Sequence, residues 1–362
     1  MLKYRADLIK ARNISPSPNL SNSLIKNDNN TFINNLIISK GILPTSTPFE
    51  IHPYKNELPL YLNEKYIIGT FPPISYVLDN KFILKEKITQ LKQPNNNGRP
   101  IQKPLIPFYH GSLGSMWDFI LTNGELEKLN LLFEKENGRR LVKDYLISFL
   151  KNHKINYADI IDAVQRTLNK ESRYDAEDKN LSNICVNKDL IKHILSNKNA
   201  KFILFNTSSI FGNKGIQLES DKKINVDKNT KSLDIFFRAC QELGFQIQIK
   251  VTYGKYKNNF EWVNIGELNT SQRKSKILFE VKISNCNDKN NLNLELPNFD
   301  EKVLTIITPL SPAAVNRGKT KLNAIVANWM SLNFDKNPSD FLKFAYHSFR
   351  NNDIKRLYTL NR

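Results

Sequence analysis

Three short apolar runs, each followed by a turn signal, constrain the fold of this chain more than any other feature. They read YIIG at 66–69, KFILF at 201–205 and VLTII at 303–307. Helix-like stretches lie between them: SMWDFIL, the helix-periodic RLVKDYLISFLKNH, and NKDLIKHILSN. Strands that alternate with helices predict an α/β fold with a parallel sheet covered on both faces. Because ligands of such sheets bind at the carboxyl ends of the strands, the loops after Ile68, Phe205 and Ile307 are the predicted site.

The remaining segments differ in composition from this core. Residues 1–48 mix basic residues with Ser, Asn and Pro, which predicts a basic N-terminal extension. Between about 213 and 300, apolar and polar residues alternate in FQIQIKV and ILFEVKI, which predicts antiparallel strands in a β-rich insertion. The amphipathic stretch DFLKFAYHSF predicts a packing helix in a tail at 333–362. The core domain is therefore predicted at 49–332, with the insertion inside it.

The charge of the chain points to a polyanionic partner. There are 53 Lys and Arg residues against 35 Asp and Glu residues, a formal net charge of +18. Such an excess creates a positive field that attracts nucleic acid. The Asn-, Lys- and Ile-rich composition of an AT-rich genome produces the same excess without a functional demand, and this alternative stays open.

Cysteine usage and hydropathy argue against a metal site, a disulfide framework and a membrane or secreted location. Cys185, Cys240 and Cys286 form no C-x-x-C pair, so neither a zinc or iron–sulfur site nor a disulfide framework is predicted. No apolar run is long enough to span a membrane, and the first residues lack the apolar segment of a secretory signal. We expect a cytoplasmic protein with no membrane partner.

Five segments in order carry a resemblance to a known family. They are GTFPP at 69–73, FYHGSLGSMWDFI at 108–120, YADIIDAVQR followed by ESRYDAEDKNL at 157–181, ILFNTSSIF at 203–211, and TPLSPAAVNRG at 308–318. Together they resemble the uracil-DNA glycosylase superfamily, and the third segment is similar to the W-D-V…R…S-x-D pattern of its hypoxanthine (deoxyinosine) branch. The resemblance covers roughly 50–212 and 300–332.

This resemblance implies both a fold and an activity. The implied fold is a three-layer α/β/α sandwich around a central, mostly parallel four-stranded sheet. The implied activity is that of a monofunctional DNA glycosylase, which acts on double-stranded DNA as a monomer, without metal or cofactor. Such an enzyme flips a base out of the duplex and hydrolyses its bond to the sugar, leaving an abasic site.

The chemistry of this reaction selects the catalytic candidates. Cleavage of the N-glycosidic bond builds positive charge on the sugar and negative charge on the departing base, so a carboxylate is needed near the sugar. Asp159 matches the Asp of the W-D-V pattern and is the first candidate, although Asp is also a common helix N-cap. Asp162 is the second candidate, with a solvated helix face as its alternative. His110 is the third, to orient water or a phosphate, with an ordinary surface histidine as its alternative.

The base pocket is predicted from the same segments. Phe71 stands where many superfamily members carry the Asp or Asn that orients water, and this position is also apolar in the hypoxanthine branch; a core Phe is the alternative. Tyr109 is the candidate for stacking on the base, with core packing as its alternative. Asn206 has the donors and acceptor to read the edge of the base, with a plain strand-end cap as its alternative. Gly69 and Pro72 complete the predicted pocket.

The last segment is predicted to contact DNA. Ser311 and backbone N–H groups suit phosphate, and basic residues follow. Leu310 or Val315 is the candidate for the apolar wedge that fills the space left by the flipped base. An ordinary Pro-rich connection between a strand and a helix is the alternative. The predicted DNA contacts are Leu310, Ser311, Pro312, Asn316, Arg317 and Lys319.

Other functions remain open at this stage. Glu280 and Lys282 have the E-x-K spacing of metal-dependent nucleases. A non-catalytic reader of modified bases is favoured by Phe71 and by Gly114 and Ser115, which stand near the place of an Asn in the hypoxanthine branch. Within the glycosylase interpretation, the substrate is either a deaminated base such as uracil or hypoxanthine, for repair, or a hypermodified phage base such as glucosylated hydroxymethylcytosine, for antiviral defence.

Overall fold

The computed structural model of the chain describes residues 2–3, 49–55, 57–72, 108–109, 116–166, 181–205, 232–250, 261–265, 278–285, 301–309, 324–333 and 336–358. The strands of these residues are β1 (Leu2–Lys3), β2 (Phe49–Ile51), β3 (Lys65–Gly69), β4 (Ile155–Asp159), β5 (Ile161–Arg166), β6 (Leu181–Val186), β7 (Phe202–Phe205), β8 (Phe245–Lys250), β9 (Val263–Asn264), β10 (Leu278–Asn285) and β11 (Glu301–Ile307). The helices are α1 (Trp117–Ile120), α2 (Asn123–Phe133), α3 (Gly138–Asn152), α4 (Lys188–Ser196), α5 (Ser232–Glu242), α6 (Ala324–Leu332), α7 (Pro338–Arg350) and α8 (Lys355–Tyr358).

A mixed sheet forms the centre of the fold, in the order β4-β3-β7-β11-β10-β8-β9. The pairings of β3 with β4, β3 with β7, and β7 with β11 are parallel, so four parallel strands lie side by side. Three of these four strands are the predicted apolar runs. All five residues of β3 are buried, as a parallel strand covered on both faces requires. The predicted α/β class and its parallel strands are confirmed.

The strands predicted between 213 and 300 continue this same sheet. In β8 the residues alternate between buried and more exposed positions, as the sequence alternation indicates. Strand β10 pairs antiparallel with β8 on one side and with β11 on the other. The region therefore widens the central sheet with antiparallel strands, among the residues that the structure describes.

A second, antiparallel sheet was not predicted from the sequence. Its order is β1-β2-β5-β6. The chain passes into it directly from the central sheet, because only Ile160 separates β4 from β5. The Ile160 N–H donates to Gly69 O at 3.0 Å, which holds this junction against the end of β3. Asp159 and Asp162 therefore lie on either side of the transfer from one sheet to the other.

Helices cover both faces of the central sheet. On one face, Tyr66 and Ile68 of β3 belong to an apolar cluster that includes α4, α5 and the inner face of the second sheet. On the other face, Ile67 belongs to a second apolar cluster, which includes residues of α1, α3, α6 and α7. Because side chains alternate along β3, this one strand contributes residues to the apolar clusters on both faces of the sheet.

The predicted packing helix near the end of the chain is α7. Asn337 caps it in a capping box with Asp340, and Pro338 occupies the first turn. Its apolar face is buried in the second cluster. Arg350, at the end of α7, forms a bidentate ion pair with Glu125, with N···O distances of 2.5 and 2.8 Å. Within the described ranges, no helix combines the length and apolar character needed to cross a bilayer. The burial of its apolar face makes α7 part of the core.

The burial of α7 has a measurable consequence. Phe341 is completely buried, whereas Phe344 on the same helix is only partly buried. We expect Phe341→Ala to lower the free energy of unfolding by about 3–5 kcal/mol, because it leaves a cavity in the second cluster. Phe344→Ala is the matched control and should cost clearly less. Denaturant unfolding of both variants checks this, and equal small losses would mean that α7 does not belong to the core.

Candidate active site

Asp159 lies at the carboxyl end of the parallel strands. It is the last residue of β4, and its register partner on β3 is Gly69. Its side chain is 5% exposed and accepts a hydrogen bond from His52 Nε2 to Oδ2, at 2.8 Å. His52 follows β2 in the second sheet, and its own side chain is 2% exposed. The two sheets therefore meet in a buried histidine–aspartate pair.

The hydrogen bonds of His52 define the roles of its two ring nitrogens. The backbone N–H of Tyr54 donates to His52 Nδ1 at 3.1 Å, so Nδ1 is an acceptor and carries no hydrogen. The ring hydrogen is therefore on Nε2, where it is donated to Asp159. Both nitrogens are engaged, so His52 in this arrangement has no free lone pair with which to act as a general base.

The second oxygen of Asp159 is in a different situation. Among the described residues, Oδ1 is buried and has no hydrogen-bond partner. It lies against Gly69: a Cβ at this position would be 2.1 Å from Oδ1 and 3.1 Å from the carboxyl carbon. Glycine is thus required here for space, since any side chain would displace the carboxylate. One oxygen of Asp159 is fixed, and the other retains its capacity to accept a hydrogen.

Aromatic rings enclose the pair. The ring centroid of His52 lies 5.5 Å from that of Phe71, in an edge-to-face arrangement, and 5.3 Å from that of Tyr109. The Tyr109 hydroxyl donates to Tyr54 O at 3.0 Å, and its ring packs against Tyr157 at 4.5 Å. Burial, followed by the charge of Asp159, raises the pKa of Tyr109 well above its usual value, so the phenol stays protonated. The result is a low-polarity wall around one carboxylate.

Asp162 is a second buried carboxylate beside this pair. It lies in β5, and its Oδ2 accepts from Lys55 Nζ at 2.5 Å, whereas Oδ1 has no partner among the described residues. Burial raises the pKa of the Asp162 carboxyl, although the Lys55 ammonium acts in the opposite direction. The loss of solvation therefore outweighs the attraction of the lysine.

This direction of the shift determines how Asp162 affects stability. A carboxyl whose pKa is raised on folding binds its proton more tightly in the folded state, so its contribution to stability is largest at low pH. That contribution falls as pH rises from the unfolded to the folded pKa. Asn resembles the protonated form, and Lys55 is 30% exposed, so water solvates its charge after the pair is lost.

We therefore expect Asp162→Asn to unfold at the same or a higher temperature than the wild-type chain at neutral pH. The difference should vanish at acidic pH, where both side chains are neutral. Thermal unfolding across a pH series measures this. A clear loss of stability in the variant at neutral pH would mean that the Lys55 ion pair outweighs the cost of burial.

The structure brings together several of the predicted residues. Gly69, Phe71, Pro72, Tyr109 and Asp159 lie at the carboxyl end of β3 and β4, and all of them are buried. Two alternatives are wrong: Asp159 ends a strand and caps no helix, and Asp162 lies in a buried strand. The stacking of Tyr109 on a base stays a prediction. Eight predicted site residues lie outside the described residues: His110, Asn206, Leu310, Ser311, Pro312, Asn316, Arg317 and Lys319.

The sequence did not single out His52. It stands in FEIHP, directly after β2, and contacts an aspartate 107 residues further along the chain. Its one sequence signal is a histidine between an isoleucine and a proline, at the start of the predicted core domain. Spacing along the chain gives no reason to pair it with Asp159.

The E-x-K residues of the nuclease alternative lie elsewhere, on the widened part of the sheet. Glu280 lies 3.8 Å from Lys250, and Lys282 lies 3.4 Å from Glu301, both as ion pairs across neighbouring strands. In the part of the chain that the structure describes, no three His, Cys, Asp or Glu residues gather where they would hold a metal ion. Glu280 and Lys282 therefore form ion pairs between neighbouring strands on a half-buried face of the sheet.

Comparison with known proteins gives no match at any of three levels. No family model matches the chain. No curated protein and no solved structure matches it either. The glycosylase resemblance therefore depends on the five sequence segments alone.

Proposed function

We propose that the chain is a DNA glycosylase in which Asp159 is the catalytic carboxylate. The observation that carries this proposal is that the two carboxylate oxygens of Asp159 differ: Oδ2 accepts a hydrogen bond from His52, and Oδ1 has no partner among the described residues. A carboxylate held in this way accepts a proton from an attacking water, or faces the positive charge that develops on the sugar. Hydrolysis of an N-glycosidic bond needs both capacities.

The surroundings of Asp159 support this role. Phe71, Tyr109 and Tyr157 give the carboxylate a neighbourhood of low polarity, where its charge acts more strongly on a nearby cation than it would in water. Its position at the carboxyl end of a parallel strand is the position where α/β sheets bind their ligands. A buried, fixed charge also needs no rearrangement when the transition state forms.

Asp159 also accounts for the departure at Phe71. In the superfamily that the sequence resembles, many members carry an Asp or Asn at the place of Phe71, and a phenyl ring cannot orient water. Asp159 is the register partner of Gly69, two residues before Phe71, and its carboxylate lies across that glycine. A carboxylate from the neighbouring strand is thereby available at this loop. This supports the hypoxanthine branch, where the first position is also apolar.

Double-stranded DNA is the proposed partner, bound by a monomer without metal or cofactor. The net charge of +18 supplies the long-range attraction. The proposed phosphate contacts are the Ser and basic residues at 310–319, which follow β11 in the sequence. The proposed substrates are a deaminated base such as uracil or hypoxanthine, in repair, or a hypermodified base of phage DNA such as glucosylated hydroxymethylcytosine, in defence.

A panel of substrates tests this proposal. The chain is incubated, with EDTA present, with duplexes that carry uracil, hypoxanthine or modified cytosines and with phage genomic DNA, and alkali-labile sites are counted. Such sites in one substrate class support the glycosylase and identify its base. Binding of DNA without any alkali-labile site would contradict the enzyme assignment and favour a non-catalytic reader of modified bases. Strand cuts that EDTA abolishes would direct attention to Glu280 and Lys282.

A further inference from the structure

We infer that His52 is a positioning residue for base excision, which holds Asp159 so that Oδ1, and not Oδ2, meets the attacking water. This inference rests on the proposed function. It assigns a role to strand β2 of the second sheet, which lies outside the five family-like segments, because His52 directly follows the last residue of β2. The histidine thereby connects an element outside the parallel sheet to the reacting carboxylate.

His52 is anchored at three points. Its backbone N–H donates to Asp162 O at 2.8 Å, continuing the pairing of β2 with β5. Its Nδ1 accepts from the Tyr54 N–H, and its Nε2 donates to Asp159 Oδ2. Phe71 and Tyr109 pack against the imidazole ring. The ring is therefore fixed in its plane as well as in its position.

This anchoring excludes other roles for the imidazole. A general base needs a free nitrogen lone pair, and the Tyr54 N–H occupies the one at Nδ1. A metal ligand needs a free lone pair too. What remains is donation: the Nε2 hydrogen satisfies one carboxylate oxygen and orients the other. In catalytic terms, His52 acts through Asp159 and does not contact the reacting atoms.

The reaction step that follows is balanced without a further reactant. The oxygen of one water molecule bonds to C1′ of the sugar, and a proton of that water passes to Asp159 Oδ1. The bond between C1′ and the base breaks, and its electron pair leaves with the base, which takes up a proton from the solvent and departs neutral; the proton that Asp159 releases to the solvent balances this one. Asp159 later returns its proton to the solvent, and His52 keeps its Nε2 hydrogen throughout.

Single-turnover base release, on the substrate that the panel identifies, tests this inference. We expect His52→Ala to lower the rate constant by about 10- to 100-fold, because the carboxylate is no longer held in the reactive geometry. The affinity for the DNA should stay unchanged. His52→Gln keeps an N–H donor at a similar reach and should recover part of the rate. His193→Ala is the matched control: His193 contacts Tyr61 O at 3.1 Å, ahead of β3, and its loss should leave the rate unchanged.

Two further measurements distinguish positioning from folding. In an Asp159→Asn background, removal of His52 should cause no additional loss of rate, whereas an independent structural defect would add to it. The ¹⁵N chemical shifts of the His52 ring should show a protonated Nε2 and an unprotonated Nδ1 in the wild-type chain, with or without DNA. These shifts do not depend on activity.

The outcomes are separable. Wild-type release with an unchanged rate in His52→Ala, additive losses in the double variant, or a protonated Nδ1 would each overturn the role of His52 and leave the glycosylase intact. A wild-type chain that releases no base from any substrate would overturn the proposed function, and the positioning role with it.

Discussion

Asp159→Asn is expected to slow base release by about 10²- to 10⁴-fold, the usual contribution of a positioned acid or base. Asn has the shape of Asp, and its oxygen still accepts from His52 Nε2. Its amide nitrogen then takes the place of Oδ1, so the acceptor and the negative charge are both lost. Single-turnover release with enzyme in excess measures the chemical step separately from product release.

A matched substitution and a fold measurement make this expectation specific. Asp144 lies on α3 with a side chain that is 60% exposed, so Asp144→Asn changes the net charge equally without touching the site. It should keep the wild-type rate. The unfolding midpoint of Asp159→Asn should stay near that of the wild-type chain. A rate in Asp159→Asn equal to that of the control would remove Asp159 from catalysis.

Gly69→Ala is expected to inactivate the site through a steric clash alone, without changing any charge or hydrogen-bonding group. The added Cβ would be 2.1 Å from Asp159 Oδ1, closer than real Cβ atoms approach other atoms, and a tight 3.2 Å from the Tyr157 hydroxyl. Strand β3 pairs with a strand on each side, so its backbone has little freedom to retreat. The Asp159 carboxylate must therefore move. We expect a loss of about 1–3 kcal/mol in stability and a loss of rate comparable with that of Asp159→Asn.

Gly124→Ala is the control for Gly69→Ala. Gly124 lies in α2, and a Cβ there would have no heavy atom within 4 Å. Alanine at this position should keep or slightly increase stability, because it reduces the freedom of the unfolded chain and suits a helix. Unfolding midpoints and release rates of both variants are compared. A Gly69→Ala chain as stable and as active as Gly124→Ala would contradict the placement of the Asp159 carboxylate over Gly69.

The sequence predicts the parts of this fold that depend on local pattern. Strands β3, β7 and β11 are short apolar runs that end at turn residues, and α3 and α7 show helical periodicity. The second sheet could not be predicted in the same way. The run YADIIDAV shows no break where the chain leaves one sheet for the other, and one of the two partners of β5, strand β2, comes from a segment far away in the sequence.

In the candidate site, too, local pattern indicates one residue and misses the other. Asp159 could be singled out as a candidate because it resembles the Asp of the W-D-V pattern. Its partner His52 could not, since the contact depends on the register that pairs Ile51 with Ala163 across β2 and β5. Register between distant strands is set by the packing of the whole sheet, and no local signal in FEIHP reports it. Nonlocal pairing therefore accounts for the residue that sequence reasoning missed.

The intact mass of a DNA strand carrying a single candidate base, before and after incubation with the chain, tests the central claim most directly. Hydrolysis removes one base and adds one water, so the expected result is a strand lighter by that difference, formed by the wild-type chain and not by Asp159→Asn. A strand of unchanged mass for every candidate base, although the DNA is bound, would contradict the assignment of a glycosylase.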